Sequence, residues 1–211
     1  MSRPPRPGQT KTRLIPWLGP EGAARLQAAF TADILERCSR SSTWQLMVYW
    51  SAAFDAGDLP GAAHRQQRGE DLGARMLQVL RDAQAEGVER SVIIGSDSPD
   101  LPAQRIESAF AALERAPAVL APAFDGGYVL IGARVPQPRL FEAVPWGTAE
   151  VLEVTAERAR EAGLELALVE PWYDVDRPDE LRFLRAHLEL LARTGEERAP
   201  RTRALLRELL A

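Results

Sequence analysis

The segment Ser91-Val92-Ile93-Ile94-Gly95-Ser96-Asp97 is a short apolar, largely β-branched run that stops at a carboxylate, and the turn residues Ser98-Pro99-Asp100 follow it. Such a run predicts a strand buried in a sheet that is covered by helices. In open α/β sheets ligands bind beyond the carboxyl ends of the strands, which marks Asp97 as a ligand for metal or substrate. Two further acidic turns, Asp125-Gly126-Gly127-Tyr128 and Asp174-Val175-Asp176, punctuate the chain in similar positions.

Around this strand the apolar residues recur at helical spacing. From Glu21 to Arg37 the face is Ala23, Leu26, Phe30 and Ile34, and helices are expected over Asp71–Glu86 and Val151–Ala162. Pro102 opens another with Ile106, Phe110 and Leu113, and Leu181, Leu184, Leu188 and Leu191 mark the helix that closes the domain. Strands are expected at Trp44–Trp50, Ala118–Ala121, Tyr128–Gly132 and Leu164–Val169, and Ser51–Gly69 reads as a polar, turn-rich connection. The alternation predicts an α/β chain, three layers deep, with helices on both faces of a mostly parallel sheet. One domain spans residues 1–193, and 194–211 form a charged linker and an amphipathic helix. The stripe Leu205, Leu206, Leu209 and Leu210 packs on the parent domain or makes a homodimer contact.

The formal net charge of −4 gives no reason to expect nucleic acid as a partner. Cys38 is the sole cysteine, which excludes an internal disulfide and fits a reducing compartment. With His64 and His187 the only histidines, a zinc site is poorly supplied, and a hard cation on Asp oxygens is the better metal hypothesis. No apolar stretch reaches membrane-spanning length and no secretion signal opens the chain, so a cytoplasmic protein without a membrane partner is expected.

Pro7-Gly8-Gln9-Thr10-Lys11-Thr12-Arg13-Leu14 gathers glycine, hydroxyls and two cations just before a helix. Backbone and cations cradle phosphates in this way, with Gly8 and Thr10 shaping the loop, Lys11 as a point charge and Arg13 as a planar fork. Composition alone equally allows a disordered basic tail.

Six motifs occur in one order: Pro-Gly-x-x-Lys-Thr-Arg-Leu, Asp-Leu-Gly-x-Arg-Met, Gly-Ser-Asp-Ser-Pro-Asp-Leu-Pro, Asp-Gly-Gly-Tyr, Pro-Trp-x-Thr and Tyr-Asp-Val-Asp. In these the chain resembles the bacterial GT-A-fold family of arsenosugar-biosynthesis-type glycosyltransferases, from Pro4 to about Leu184. The resemblance implies the Rossmann-like nucleotide-diphospho-sugar transferase fold, which nucleotidyltransferases such as the 2-phospholactate guanylyltransferases share. Relatives carry an apolar strand before the phosphate loop. Here the chain begins at Met1, where that strand would already be ending, so a missing first strand is expected, with a natural start upstream or a truncated chain. Gly147 and Arg177 stand where a serine and a threonine are expected.

A nucleoside diphosphate or triphosphate brings charge that calls for Mg²⁺ or Mn²⁺, and Asp97 is the first ligand. Asp176 resembles the second carboxylate position of the fold, against the plain alternative of a helix N-cap before Pro178. Asp100 reads as a turn or cap residue. Gln67, Gly69, Leu72 and Gly73 look like a nucleotide-base loop, the alternative being Asp71 as a cap of the following helix. Asp-Gly between apolar runs is a hairpin signal, while the resemblance implies that Asp125, Gly126, Gly127 and Tyr128 form a substrate loop with Asp125 as base. For Tyr128 the alternative is a place in the core. Trp146 and Thr148 either wall the acceptor side or pack. The resemblance implies glycosyl transfer from a nucleotide sugar to a small-molecule acceptor, with Lys11, Arg13, Asp97 and Asp125 at the chemistry. The alternatives are nucleotidyl transfer from an NTP to a phosphorylated acceptor, and a catalytically impaired nucleotide-binding module.

Overall fold

Strand β1 (Met47–Trp50) buries Val48, Tyr49 and Trp50, and it pairs in parallel with β2 (Ala63–Gln66). These strands belong to a computed structural model that describes residues 1–54 and 62–210. Part of the expected Ser51–Gly69 connection lies outside the described residues, and its end is strand β2 rather than turn. The strand escapes sequence patterning because Ala63-His64-Arg65-Gln66 has no apolar alternation; pairing with β1 defines it. Ser2 adds a parallel one-residue bridge to Trp50, its amide donating to the Tyr49 carbonyl at 2.9 Å and its carbonyl accepting from Ser51.

The chain forms two compact units: residues 1–66, 96–101 and 174–211 make the first, and residues 67–95 and 102–173 the second. In the first, Thr12–Leu14 form a 3₁₀ turn that leads into α1 (Ile15–Ser39), whose backbone leaves helical geometry at Gly19 (φ 71°, ψ 166°) just before Pro20. Beyond that break, α1 buries Ala23, Leu26, Phe30 and Ile34, the face its spacing predicts. Helix α5 (Pro178–Arg193) buries Leu181, Leu184 and Leu188. Helix α6 (Pro200–Leu209) packs against α1 within the same unit, so the apolar stripe at the end of the chain is used internally. Its N-cap Ala199 supplies no side-chain bond. Asp33 of α1 does so instead, its fully buried carboxylate accepting from Arg201 N at 3.1 Å and Thr202 N at 2.8 Å.

The second unit is a four-stranded sheet in the order β3-β5-β4-β6, built from β3 (Ser91–Ile94), β4 (Ala118–Pro122), β5 (Tyr128–Ala133) and β6 (Leu166–Leu168). Strands β3, β4 and β6 run in one sense, and β5 alone runs against both its neighbours. Helices α2 (Leu72–Ala85), α3 (Ala103–Ala112) and α4 (Val151–Glu161) complete the unit. This is the α/β architecture with mostly parallel strand sense that the sequence predicts. No helix among the described residues is long and apolar enough to cross a membrane.

Candidate functional site

Strand β3 ends at Ile94, and Asp97 follows within the turn that enters the first unit. Its backbone carbonyl accepts from Val175 N at 2.9 Å, which fastens the segment bearing Asp176 beside it. The neighbouring Ser96 is buried and accepts from the Gln27 side chain of α1 at 2.8 Å. A polar floor made of Gln27 and Thr31 thus lies under the turn. Neither residue stands out by motif, but both are polar positions four apart on a helix face that is otherwise apolar.

Lys11 is brought to the same place. Its backbone is left-handed (φ 45°, ψ 42°), a conformation that an L-residue adopts only when its surroundings enforce it. Nζ lies 2.5 Å from Asp97 Oδ1, 3.1 Å from Asp176 Oδ1 and 2.5 Å from the Val175 carbonyl oxygen, with the Phe30 ring 5.1 Å away. Burial opposes the charge on Lys11, but Asp97 and Asp176 outweigh it and hold the ammonium above its ordinary pKa. Arg13 completes the group, its Nη1 donating to Asp176 Oδ2 at 3.2 Å. Asp176 therefore bridges both cations. It does not cap α5; Glu180 does, accepting from Asp176 N at 2.6 Å and Arg177 N at 2.7 Å.

Thr10 is 1% exposed, and its hydroxyl has no hydrogen-bond partner. A buried hydroxyl left unsatisfied beside a cation loop suits an oxyanion that supplies the missing bond. Gly8 adopts φ +76° in the preceding turn. The opening segment is thus an ordered loop with two cations, rather than a tail. Asp100 is fully buried, and its carboxylate lies 3.1 Å from His187 Nδ1 of α5, a structural contact away from Lys11's three oxygens.

In the second unit, Asp71 caps α2 by accepting from Ala74 N at 2.7 Å, and Gly69 offers its carbonyl to Arg75 Nε at 3.0 Å. Gln67 is half-buried and Leu72 is exposed. Gly73 lies against Trp146, since a Cβ at this position would stand 2.6 Å from Trp146 Cζ2. Trp146 also meets Tyr128 edge to face, with centroids 6.3 Å apart. The Trp146 indole nitrogen is buried without a hydrogen-bond partner, and burial raises the Tyr128 pKa against the opposing effect of the Thr155 hydroxyl. Gly73, Trp146 and Tyr128 are therefore one packed group.

The Asp125 loop is a β4–β5 hairpin connection. Asp125 Oδ1 accepts from Gly127 N at 2.9 Å, and the Gly126 carbonyl accepts from Leu152 N at 2.8 Å in the first turn of α4. Gly126 has φ +93°, and a Cβ there would fall 2.2 Å from the Ala149 carbonyl oxygen. Thr148 donates to the Pro145 carbonyl at 2.9 Å and accepts from Glu150 N at 3.2 Å, shaping the adjoining turn.

With this geometry in hand, the sequence matches the family described as "uncharacterized protein conserved in bacteria (DUF2064)" over residues 34–148. No curated protein matches the sequence. Among solved structures, the chain is similar to a provisionally assigned nucleotide-diphospho-sugar transferase from Desulfovibrio desulfuricans G20, at 35% identity and a TM-score of 0.86, covering 98% of this chain and 91% of that one. A CMP:2-keto-3-deoxy-manno-octonic acid synthetase in complex with CTP shares the fold at 12% identity and a TM-score of 0.53, over 78% of this chain and 88% of that one. A cytidylyltransferase from Leptospira borgpetersenii does so at 12% identity and a TM-score of 0.50, over 98% and 91%.

Proposed function

The chain belongs to the bacterial family DUF2064, and from that membership and the convergence of Lys11 and Arg13 on Asp97 and Asp176 we propose that it is a metal-dependent glycosyltransferase. The donor is a nucleotide-diphospho-sugar and the acceptor a small molecule, as the Desulfovibrio relative's assignment suggests for the donor. A place among the arsenosugar-biosynthesis-type enzymes is the finer form of this reading, supported by the six ordered motifs.

The single observation that carries the proposal is the trio of oxygens around Lys11 Nζ: two carboxylates and a carbonyl. Hard oxygens of this kind suit Mg²⁺ or Mn²⁺, and Asp97 and Asp176 are the residues to hold it. Such an ion supplies charge neutralisation for the departing diphosphate. Lys11 and Arg13 add fixed positive charge to the same leaving group, and the unpartnered Thr10 hydroxyl donates to a phosphate oxygen. Asp125 spends Oδ1 on its own loop, leaving the other oxygen to accept the acceptor's proton in an inverting transfer.

Nucleotidyl transfer is the second reading, favoured by the fold shared with a CTP-bound synthetase. It needs no dedicated base. Incubation with Mg²⁺ or Mn²⁺ and panels of sugar nucleotides or nucleoside triphosphates separates the two. Release of a nucleoside diphosphate supports glycosyl transfer, whereas pyrophosphate release dependent on a phosphorylated acceptor transfers the assignment to the second reading. Binding without turnover of any panel member identifies a nucleotide-binding module. Asp97→Ala should abolish turnover and leave the fold intact, because Asp176 and the Val175 carbonyl still hold Lys11.

A further inference from the structure

Lys11 is the only lysine in the chain, and every other side chain of the Lys/Arg class is arginine. An ammonium differs from a guanidinium in being compact, with three donors that rotate about one point. Those three donors are matched by Asp97 Oδ1, Asp176 Oδ1 and the Val175 carbonyl. The same oxygens are the donor set suited to a hard dication, so ammonium and metal compete for one set of ligands. Their exposures differ in an informative way. The Lys11 side chain is 2% exposed, whereas Asp97 and Asp176 are 44% and 36% exposed, so the carboxylates face solvent while the amine fills the space behind them. The left-handed backbone at Lys11 and the unsatisfied Thr10 hydroxyl beside it mark a loop held in a costly arrangement that an oxyanion accepting from Thr10 would relieve.

We propose that Lys11 is a displaceable internal cation, which holds the three oxygens together in the ligand-free protein and yields them to a divalent metal when phosphate oxygens arrive to receive its hydrogen bonds. Metal and nucleotide then bind cooperatively, each raising the affinity for the other. The inference rests on the metal-dependent reading above and adds to it a mechanism for excluding metal until nucleotide is present.

Because Lys11 stands alone, protein made with ¹³C,¹⁵N-lysine carries one side-chain reporter. Its resonances should hold their positions when Mg²⁺ alone is added and move when Mg²⁺ is added with GDP or UDP. By electron paramagnetic resonance, Lys11→Met should bind Mn²⁺ without nucleotide about 5–150-fold more tightly than wild type, the usual span of such coupling. Equal or weaker binding by a folded Lys11→Met, or a lysine signal unmoved while metal and nucleotide are bound, overturns the inference and leaves the metal site standing. Absence of Mn²⁺ binding by every form, with and without nucleotide, overturns the metal-dependent reading and this inference together. The lysine signal is read on wild-type protein, so the test holds even where the variant does not fold.

Discussion

Replacing Gly126 by alanine tests whether the Asp125 loop, the proposed substrate loop, is also a scaffold joint. The added methyl meets two obstacles: φ is +93°, and the new Cβ would lie 2.2 Å from the Ala149 carbonyl oxygen. A left-handed L-residue costs roughly 1–2 kcal/mol, and forcing a methyl into filled space costs about 1–3 kcal/mol more. Relief of the overlap requires the loop to move off α4, which weakens the bond from Leu152 N to the Gly126 carbonyl, worth about 0.5–1.5 kcal/mol. The expected destabilisation is about 2–5 kcal/mol, a large share of a usual total of about 5–15 kcal/mol. Asp125→Ala is the control. Its Oδ1 bond to Gly127 N is solvent-exposed, so its loss should cost no more than about 1 kcal/mol while removing the proposed base. Urea unfolding followed by circular dichroism measures both variants. An unfolding midpoint for Gly126→Ala equal to wild type refutes the reasoning, as does an Asp125→Ala variant that is the less stable of the pair.

Asp33→Ala should cost about 2–3 kcal/mol, since both oxygens of a buried carboxylate accept from the first turn of α6, and hydrogen exchange at Arg201 and Thr202 should lose its protection first. Unchanged exchange at those amides rules out the cross-helix cap. Gly73→Ala should cost about 1–3 kcal/mol by pushing on Trp146, and Trp146→Leu in that background should recover most of the loss in a double-mutant cycle. Additive effects would show that the two residues do not touch. Lys11 and Tyr128 both have raised pKa values in the folded chain, so they retain protons that the unfolded chain gives up above about pH 10. Their contribution is complete below that pH and is lost as pH rises through the folded values; denaturant titrations from about pH 10 upward should show falling stability, less steeply in Lys11→Met. A rise over that range contradicts the assignment.

Local pattern carried much of this. The β-branched run before Asp97 is β3, the spacing of Leu181, Leu184 and Leu188 is the buried face of α5, and the Asp-Gly signal at Asp125 is a hairpin turn. What stayed hidden depends on partners far along the chain. Asp176 and Glu180 each fit the rules for capping α5, and the contest is decided by Lys11, more than 160 residues away, which draws the Asp176 carboxylate to itself. Asp33 sits in the middle of a helix, and nothing nearby announces that it caps α6. Strand β2 exists through its ladder with β1, and the Val175 carbonyl reaches Lys11 through the backbone, where side-chain identity leaves no trace.

The departure from helical geometry at Gly19 bears on how this protein attracts anions. Amides at a helix start exert their pull only over the first turn, and the uninterrupted coil here begins near Pro20, nine positions past the left-handed lysine. Its positive pole therefore starts nine positions past Lys11, with the 3₁₀ turn Thr12–Leu14 and the single helical turn Ile15–Leu18 in between. In the proposed transferase, phosphate capture then rests on side-chain charge, the metal and the Thr10 hydroxyl rather than on a helix dipole, so ionic strength should weaken nucleotide affinity more steeply than in proteins whose long helices point at the ligand.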